Sequence, residues 1–326
     1  MKFSKKLLVL FIFIFSVLSL TACRGDSEKS NEIHVGYFNN VTHAQALLMK
    51  ANGTLEKEMG DEVNVKWTAF NAGPAEQEAL FAGDIDIGYI GPVPAITANV
   101  KSDGDIQILS GASQGGAVLV KRQGSDITNS NDLSGKKIAI PQIGNTQHLC
   151  LLNLLSENGL KSVSDGGDVT VSAVSNADVA NTMQRGDIDA ALVPEPWGAT
   201  LLENGAELVL DYDAIYLKGK YDVAVVVVRK DFMEKNPELV DKFLQAHTSA
   251  TETIKADLDG SLKIINNELK NATGKFLNYN IIKESFTRIG ISTELNKDSI
   301  SGFAKISKEQ KFISKIPDDN GLYVNQ

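Results

Sequence analysis

The chain has 326 residues, with 32 basic against 41 acidic side chains, a net charge of −9 and only two cysteines. That acidic balance, with no basic cluster to offset it, argues against binding nucleic acid or an anionic lipid surface. Two cysteines cannot build a cysteine metal site.

In chain order, the N-terminus reads first as a targeting segment. Lys2, Lys5 and Lys6 precede an apolar run from Leu7 to Leu20, too short to read as a membrane span. Residues 1–22 are expected to be a signal peptide. Leu20-Thr21-Ala22-Cys23 resembles the bacterial lipobox, which implies that Cys23 is acylated and becomes the mature N-terminus. Residues 23–31 are polar and aperiodic, a lipidated tether. The body is therefore expected at the extracytoplasmic face of the cell membrane, lipid-anchored, with Cys150 as its one free thiol.

The body opens with a strand, "EIHVGYF" (32–38), a polar loop "NNVTH" and the helix "AQALLMKAN". "VNVKWTAF" (63–70) alternates as a second strand. "NAGP" then starts a helix, with Pro74 at a first-turn position where its missing N–H costs nothing. "GDIDIGYIGP" follows from Gly83, and nearly the same phrase, "GDIDAALVPEP", returns at Gly186. Each copy reads as helix, glycine stop, buried strand and exposed loop. The repetition predicts two similar lobes, each placing a loop at the mouth of a shared cleft.

After the first copy come a loop and helix, "GPVPAITANV", the strand "IQILS" and the turn "GASQGG". "AVLVKR" leaves this unit, and a turn-rich stretch leads to a second. That unit contains strand "KIAIP", loop "QIGN", helix "TQHLCLLNLLSEN", strand "DVTVSAV", the second copy, loop "PEPW" and strand "AELVL". A long β-branched run, "YDVAVVVVRKDF" (221–232), suits a buried strand crossing back, and beyond Pro237 the pattern is helical. The expected fold is α/β, two-lobed, each lobe a mostly parallel sheet covered by helices, with a helical C-terminal extension. Residues 32–121 form lobe 1, 122–217 lobe 2, and 218–326 return to lobe 1 and supply the C-terminal helices.

"HVGYFNNVTHAQAL", "FNAGPAEQEALFAGDIDIGYIGPVPAI", "GASQGG", "PQIGNTQHL" and "LVPEPWG", in that order, resemble the nitrate/sulfonate/taurine-binding branch of periplasmic solute-binding proteins. The resemblance covers about residues 31–230. It implies the type II periplasmic-binding-protein fold, a ligand held between lobes that close on it, and docking of the closed form on an ABC permease. Two departures bear on the ligand. Relatives often carry a proline where this chain has Asn39, in "GYFPN", and an acidic residue where it has His148.

In doubly wound sheets, ligands sit beyond the carboxyl ends of the strands, where helix N-termini offer free N–H groups and partial positive charge. The residues so placed are Phe38, Asn39, Asn40, Thr42 and His43; Gly91 and Pro92; Ser113 and Gly115; and Asn145, Thr146, Gln147 and His148. Capping and packing would explain the same residue types. None of the five arginines lies in these loops. An anion would therefore be held by N–H, hydroxyl and amide groups without a bidentate fork, which suits a small, singly charged head. Glu195 either faces the cleft, favouring a ligand with an amine or hydroxyl, or is an exposed loop carboxylate. Trp197 either walls the cleft or plugs a helix end. Trp67, in phase with Val63 and Val65, reads as core.

His34, His43, His148 and His247 have no metal-ligand spacing, and no nucleophile–base pair or phosphate loop stands at a diagnostic spacing. No metal, no cofactor and no catalysis are expected. The expected function is a monomeric receptor delivering a small organic solute, an aliphatic sulfonate or taurine, to an ABC importer. The alternatives are a receptor for a thiamine-precursor pyrimidine or other small nitrogenous solute, and an enzyme on the same scaffold.

Overall fold

The computed structural model describes residues 31–274 and 276–324. The expected signal peptide, Cys23 and the tether up to residue 30 lie outside the described residues.

Lobe 1 begins with three parallel strands: β1 (Glu32–Phe38), β2 (Asn64–Phe70) and β3 (Ile87–Ile90). Helices α1 (Ala44–Asn52), α2 (Thr54–Met59), α3 (Gly73–Ala82) and α4 (Pro92–Lys101) connect and follow them. β4 (Ile106–Gly115) completes the segment, and β5 (Ala117–Lys121) enters the second sheet. Lobe 2 repeats the plan with β6 (Lys137–Ile140), α5 (Thr146–Glu157), β7 (Thr170–Ala173), α6 (Val179–Gln184), β8 (Ala190–Pro194), α7 (Trp197–Glu203) and β9 (Glu207–Leu210). After the short α8 (Tyr212–Ile215), β10 (Asp222–Arg229) returns to lobe 1.

The sheets run β11-β4-β10-β3-β1-β2 and β7-β6-β8-β5-β9, where β11 is Ile289–Ile291. In each, three parallel strands meet one antiparallel strand delivered from the other lobe: β10 beside β3, β5 beside β8. β10 supplies Val223 and Val225 to Val228, all nearly or fully inaccessible, each worth roughly 1.5–3 kcal/mol of burial.

Three expectations need correction. Lobe 1 was drawn to residue 121, but β5 pairs with β8 and β9 of lobe 2. The crossing therefore falls at Gly115 and Gly116, both left-handed at φ 70° and 72°, a conformation that costs glycine little. "GASQG" is the end of a ten-residue strand, not a turn. Its Gly111 looks turn-like because the Glu294 carbonyl passes where a Cβ would stand. β11, a three-residue strand paired with β4, is too short to leave a periodic signal.

Of the C-terminal helices, α9 (Lys230–Lys235) follows β10, α10 (Pro237–Ala256) and α11 (Leu258–Thr273) pack on α1 and α2 of lobe 1, and α12 (Tyr279–Ser285) packs on α7 of lobe 2, before α13 (Lys297–Glu309). α13 packs on α4 and α5, tying the two lobes together, and one apolar cluster runs from Ile90 and Val93 to Ile138 and Leu149.

Candidate functional site

The carboxyl ends of six strands converge on one narrow cavity. From lobe 1 it is lined by Phe38, Asn40, Thr42 and His43 after β1, by Asn71, Ala72 and Gly73 after β2, and by Gly91 and Pro94 after β3. From lobe 2 come Pro141, Asn145, Thr146 and Gln147 after β6, Asn176 after β7 and Pro194 at the end of β8. Val223 of β10 completes the lining. A Cβ on Gly91 would strike Thr146 Oγ1, so glycine there permits the two lobes to meet.

Local chemistry fixes these loops. The Asn40 side chain accepts from Thr42 N at 3.1 Å and from the Thr42 hydroxyl, forming a tight turn over Val41–His43. Asn145 caps α5, accepting from His148 N at 2.8 Å and donating to Gln147 Oε1 at 3.0 Å. α3, α4 and α5 each begin at the cavity wall and run ten, ten and twelve residues. Their N-termini bring partial positive charge, while Pro74, Pro92 and Pro94 in the first turns of α3 and α4 have no N–H to donate.

Among the described residues, no lysine, arginine, aspartate or glutamate lines the cavity. His43 is neutral, its ring pushed down to about 3 by burial. Its Nδ1 accepts Phe38 N–H at 3.0 Å, which leaves the proton on Nε2. Two buried oxygens on the lining are without partners, Thr146 Oγ1 and Asn176 Oδ1. An uncharged pocket with helix N-termini and spare hydrogen-bonding atoms suits a compact anion or dipole.

Several predicted residues stand elsewhere. Ser113 is fully buried and donates to the Thr42 carbonyl at 2.6 Å, supporting the Asn40 turn from behind. Gly115 is the crossing point, where a Cβ would meet the Arg288 carbonyl. Pro92 is the first residue of α4 and is buried, but does not line the cavity. His148 lies one residue beyond it, its Nδ1 accepting Gly144 N–H at 3.1 Å and its ring on Phe312, with burial holding it to about 4. Asn39 and Trp197 face an outer space contiguous with the cavity.

Glu195 must be corrected outright: it is neither a cleft residue nor exposed. Its carboxylate is inaccessible, pairs with Arg288 at 3.1 Å, and accepts from Ala199 N at 2.9 Å and Ser285 Oγ at 3.2 Å. Burial pushes its pKa up, opposed by these partners. Arg288 also reaches Asp211 at 2.8 Å and Glu284 at 3.0 Å, so this network fastens lobe 2 to α12. The partner lies 93 positions away, and the sequence gives no signal joining the two. Asn71 and Asn176 were also missed; each follows a strand like the predicted loops, and Asn71 stands inside the quoted "FNAGP" stretch, where it was read only as part of a helix start. Among the described residues no three His, Cys, Asp or Glu side chains gather as metal ligands would.

With this geometry in view, the chain can be set beside known proteins. It is 33% identical over 219 residues to the taurine-binding periplasmic protein of Escherichia coli, an alignment covering 67% of this chain and 65% of that protein. The chain thus spans just under two thirds of that relative's length. Its fold superposes on the alkanesulfonate-binding protein of Xanthomonas axonopodis pv. citri bound to MOPS, with a TM-score of 0.73 at 22% identity, covering 90% of this chain and 96% of the other. The periplasmic aliphatic sulphonate binding protein of Escherichia coli gives 0.71 at 22% identity, over 90% and 92%. These likenesses establish the two-lobed periplasmic-binding-protein fold. The NMT1-like family matches residues 26–263, and the chain belongs to that family.

Proposed function

We propose that this protein is an extracytoplasmic solute receptor, tethered through an acylated Cys23, that captures a small organosulfonate of the aliphatic sulfonate or taurine class for an ABC permease. The observation that carries the reading is the uncharged cavity between lobes, where three helix N-termini converge beside the unpartnered Thr146 hydroxyl. A sulfonate head is compact and singly charged, so N–H and hydroxyl donors can satisfy it without a cation. The taurine-binding relative supports the same class. Ligand contacts from both lobes favour the closed arrangement by their differential affinity.

Calorimetric titration with taurine, ethanesulfonate, sulfate and nitrate tests this. Sulfonates should bind, and Thr146→Val should weaken them about tenfold with the ligand-free melting temperature unchanged. Recovery of the bound sulfonate unaltered after prolonged incubation distinguishes a receptor from an enzyme. Failure of every sulfonate to bind would overturn the substrate class. For the anchor, Cys23→Ala should abolish lipid labelling and release the protein from washed membranes.

A further inference from the structure

The cavity does not end at its narrow chamber. Phe38, Asn40, Asn71 and Asn176 also line a neighbouring space. That space shares Asn39, Asn176, Ala177, Trp197 and Thr273 with an outer groove. The lining changes character along this path. The neck carries two carboxamides, and Asn39 Oδ1 and Asn176 Oδ1 are both buried without a hydrogen-bond partner. The outer groove is walled by Trp197, Leu201, Leu269, Leu277 and Ile281, with Phe276 beside them 58% exposed. An apolar groove opening from a polar cleft is costly to leave in water, and unpaired amides beside it cost more.

We propose that the solute is an N-acylated aminoalkanesulfonate, which extends the sulfonate reading on which it rests. The sulfonate occupies the inner chamber, a secondary amide lies at the Asn39–Asn176 neck, and the acyl chain runs past Trp197 into the groove under Phe276. A secondary amide offers one donor and one acceptor, so its N–H meets the Oδ1 of one carboxamide while its carbonyl accepts from the amide N–H of the other. The chain removes the groove from water without adding charge. Taurine itself fills only the chamber.

Titration of the intact protein with taurine, octanesulfonate, N-octanoyltaurine and N-octanoylglycine tests the assignment. Each methylene entering the groove should tighten binding about fourfold. N-octanoyltaurine should therefore exceed taurine by at least about a hundredfold. It should exceed octanesulfonate by about tenfold through the amide. Phe276→Ser, at an exposed position that does not threaten folding, should weaken N-octanoyltaurine about tenfold and leave taurine unchanged. Asn176→Ala should erase the advantage over octanesulfonate. If short sulfonates bind while longer chains bring no gain, the groove assignment is overturned and the sulfonate receptor stands. If sulfonates fail but N-octanoylglycine binds in a Phe276-dependent way, the head group is wrong and the groove stands. Equal affinity for octanesulfonate and N-octanoyltaurine overturns the amide, and binding of none overturns both readings.

Discussion

The two lobes place different chemistry at one equivalent position. Seven residues before each repeated glycine, lobe 1 has Glu76 and lobe 2 has Val179, both fully inaccessible. Beneath Glu76 lie Gly36 and Gly88, adjacent across β1 and β3; beneath Val179 the equivalent pair across β6 and β8 is Ala139 and Ala191. The larger side chain stands over the smaller pair and the smaller over the larger, so both sheets are covered at similar depth. Packing is conserved in volume but not in polarity. Neither Glu76 oxygen has a partner, and burial pushes its carboxyl well above the usual range. Lobe 1 therefore carries an unsatisfied group that lobe 2 does without.

Around this difference the repeat holds to individual hydrogen bonds. Gly83 and Gly186 are both left-handed, and Asp84 N and Asp187 N both reach back to close the preceding helix. Asp86 accepts His34 N at 2.9 Å and pairs with Arg229 at 3.0 Å; Asp189 accepts Lys137 N at 2.9 Å and pairs with Arg122 at 3.5 Å. In each copy the second aspartate pins the first strand to an arginine at the end of the crossing strand. The corners differ in exposure: the Asp86 and Arg229 side chains are 10% and 22% accessible, those of Asp189 and Arg122 25% and 39%.

The largest effect should come from breaking these corners separately. Asp86→Ala orphans the His34 N–H and leaves a poorly solvated Arg229 guanidinium with only Asp231, at 3.6 Å, and should cost about 3 kcal/mol. Asp189→Ala, at the wetter corner, should cost about 1 kcal/mol. Urea unfolding of both variants checks this; equal losses would mean that the corners are energetically alike despite their exposure.

A smaller effect follows from filling the lobe 1 notch. Gly36→Ala would drive a methyl into the Glu76 carboxyl and should cost about 2 kcal/mol. In a Glu76→Val background, which copies lobe 2, most of that loss should disappear. Additive losses in the double-mutant cycle would show that the two positions are not coupled.

Glu76→Gln isolates the charge. A carboxyl whose folded pKa is raised stabilises the fold fully below its unfolded value near 4.3, and that contribution is lost as pH rises towards the folded value. Above pH 5 the wild type should therefore lose stability relative to the variant as pH rises, by at most about 1.4 kcal/mol per pH unit. Parallel stability curves would mean that Glu76 finds a partner in solution.

Much of this was legible in the sequence, because the repeated "GDID" phrase records a local program: helix, left-handed stop, pinned strand. The loops after β1, β3 and β6 could be placed for the same reason, since strand ends and Asn or Thr caps leave short-range signals. Glu195 could not be placed: its surroundings are set by Arg288, and long-range pairing leaves no periodic trace. Ser113 was misjudged because a strand interrupted by glycines for close backbone approach looks like a turn. The tail groove was invisible, since its walls come from α7, α11 and α12, which are distant in sequence.

The smallest effect concerns the two histidines near the first helix of each lobe. His43 and His148 use the same device: each Nδ1 accepts a backbone N–H, from Phe38 and Gly144, and burial holds the rings to about 3 and about 4. Both are neutral throughout the physiological range. Because their folded values are depressed, the stability they contribute is present above about pH 6.5 and is lost progressively as pH falls towards 4 and 3. Binding of a permanently ionised sulfonate should therefore vary by less than about twofold between pH 5.5 and 8. On further acidification the lobes should part company. His148, the less enclosed ring, protonates first and forfeits the Gly144 bond that shapes the α5 entry, so affinity should fall from the lobe 2 side. Ring-proton NMR during an acid titration, run beside calorimetry, would follow both events. A His43 resonance that titrates before His148, or an affinity that changes tenfold between pH 6 and 7, would contradict this assignment of neutral rings.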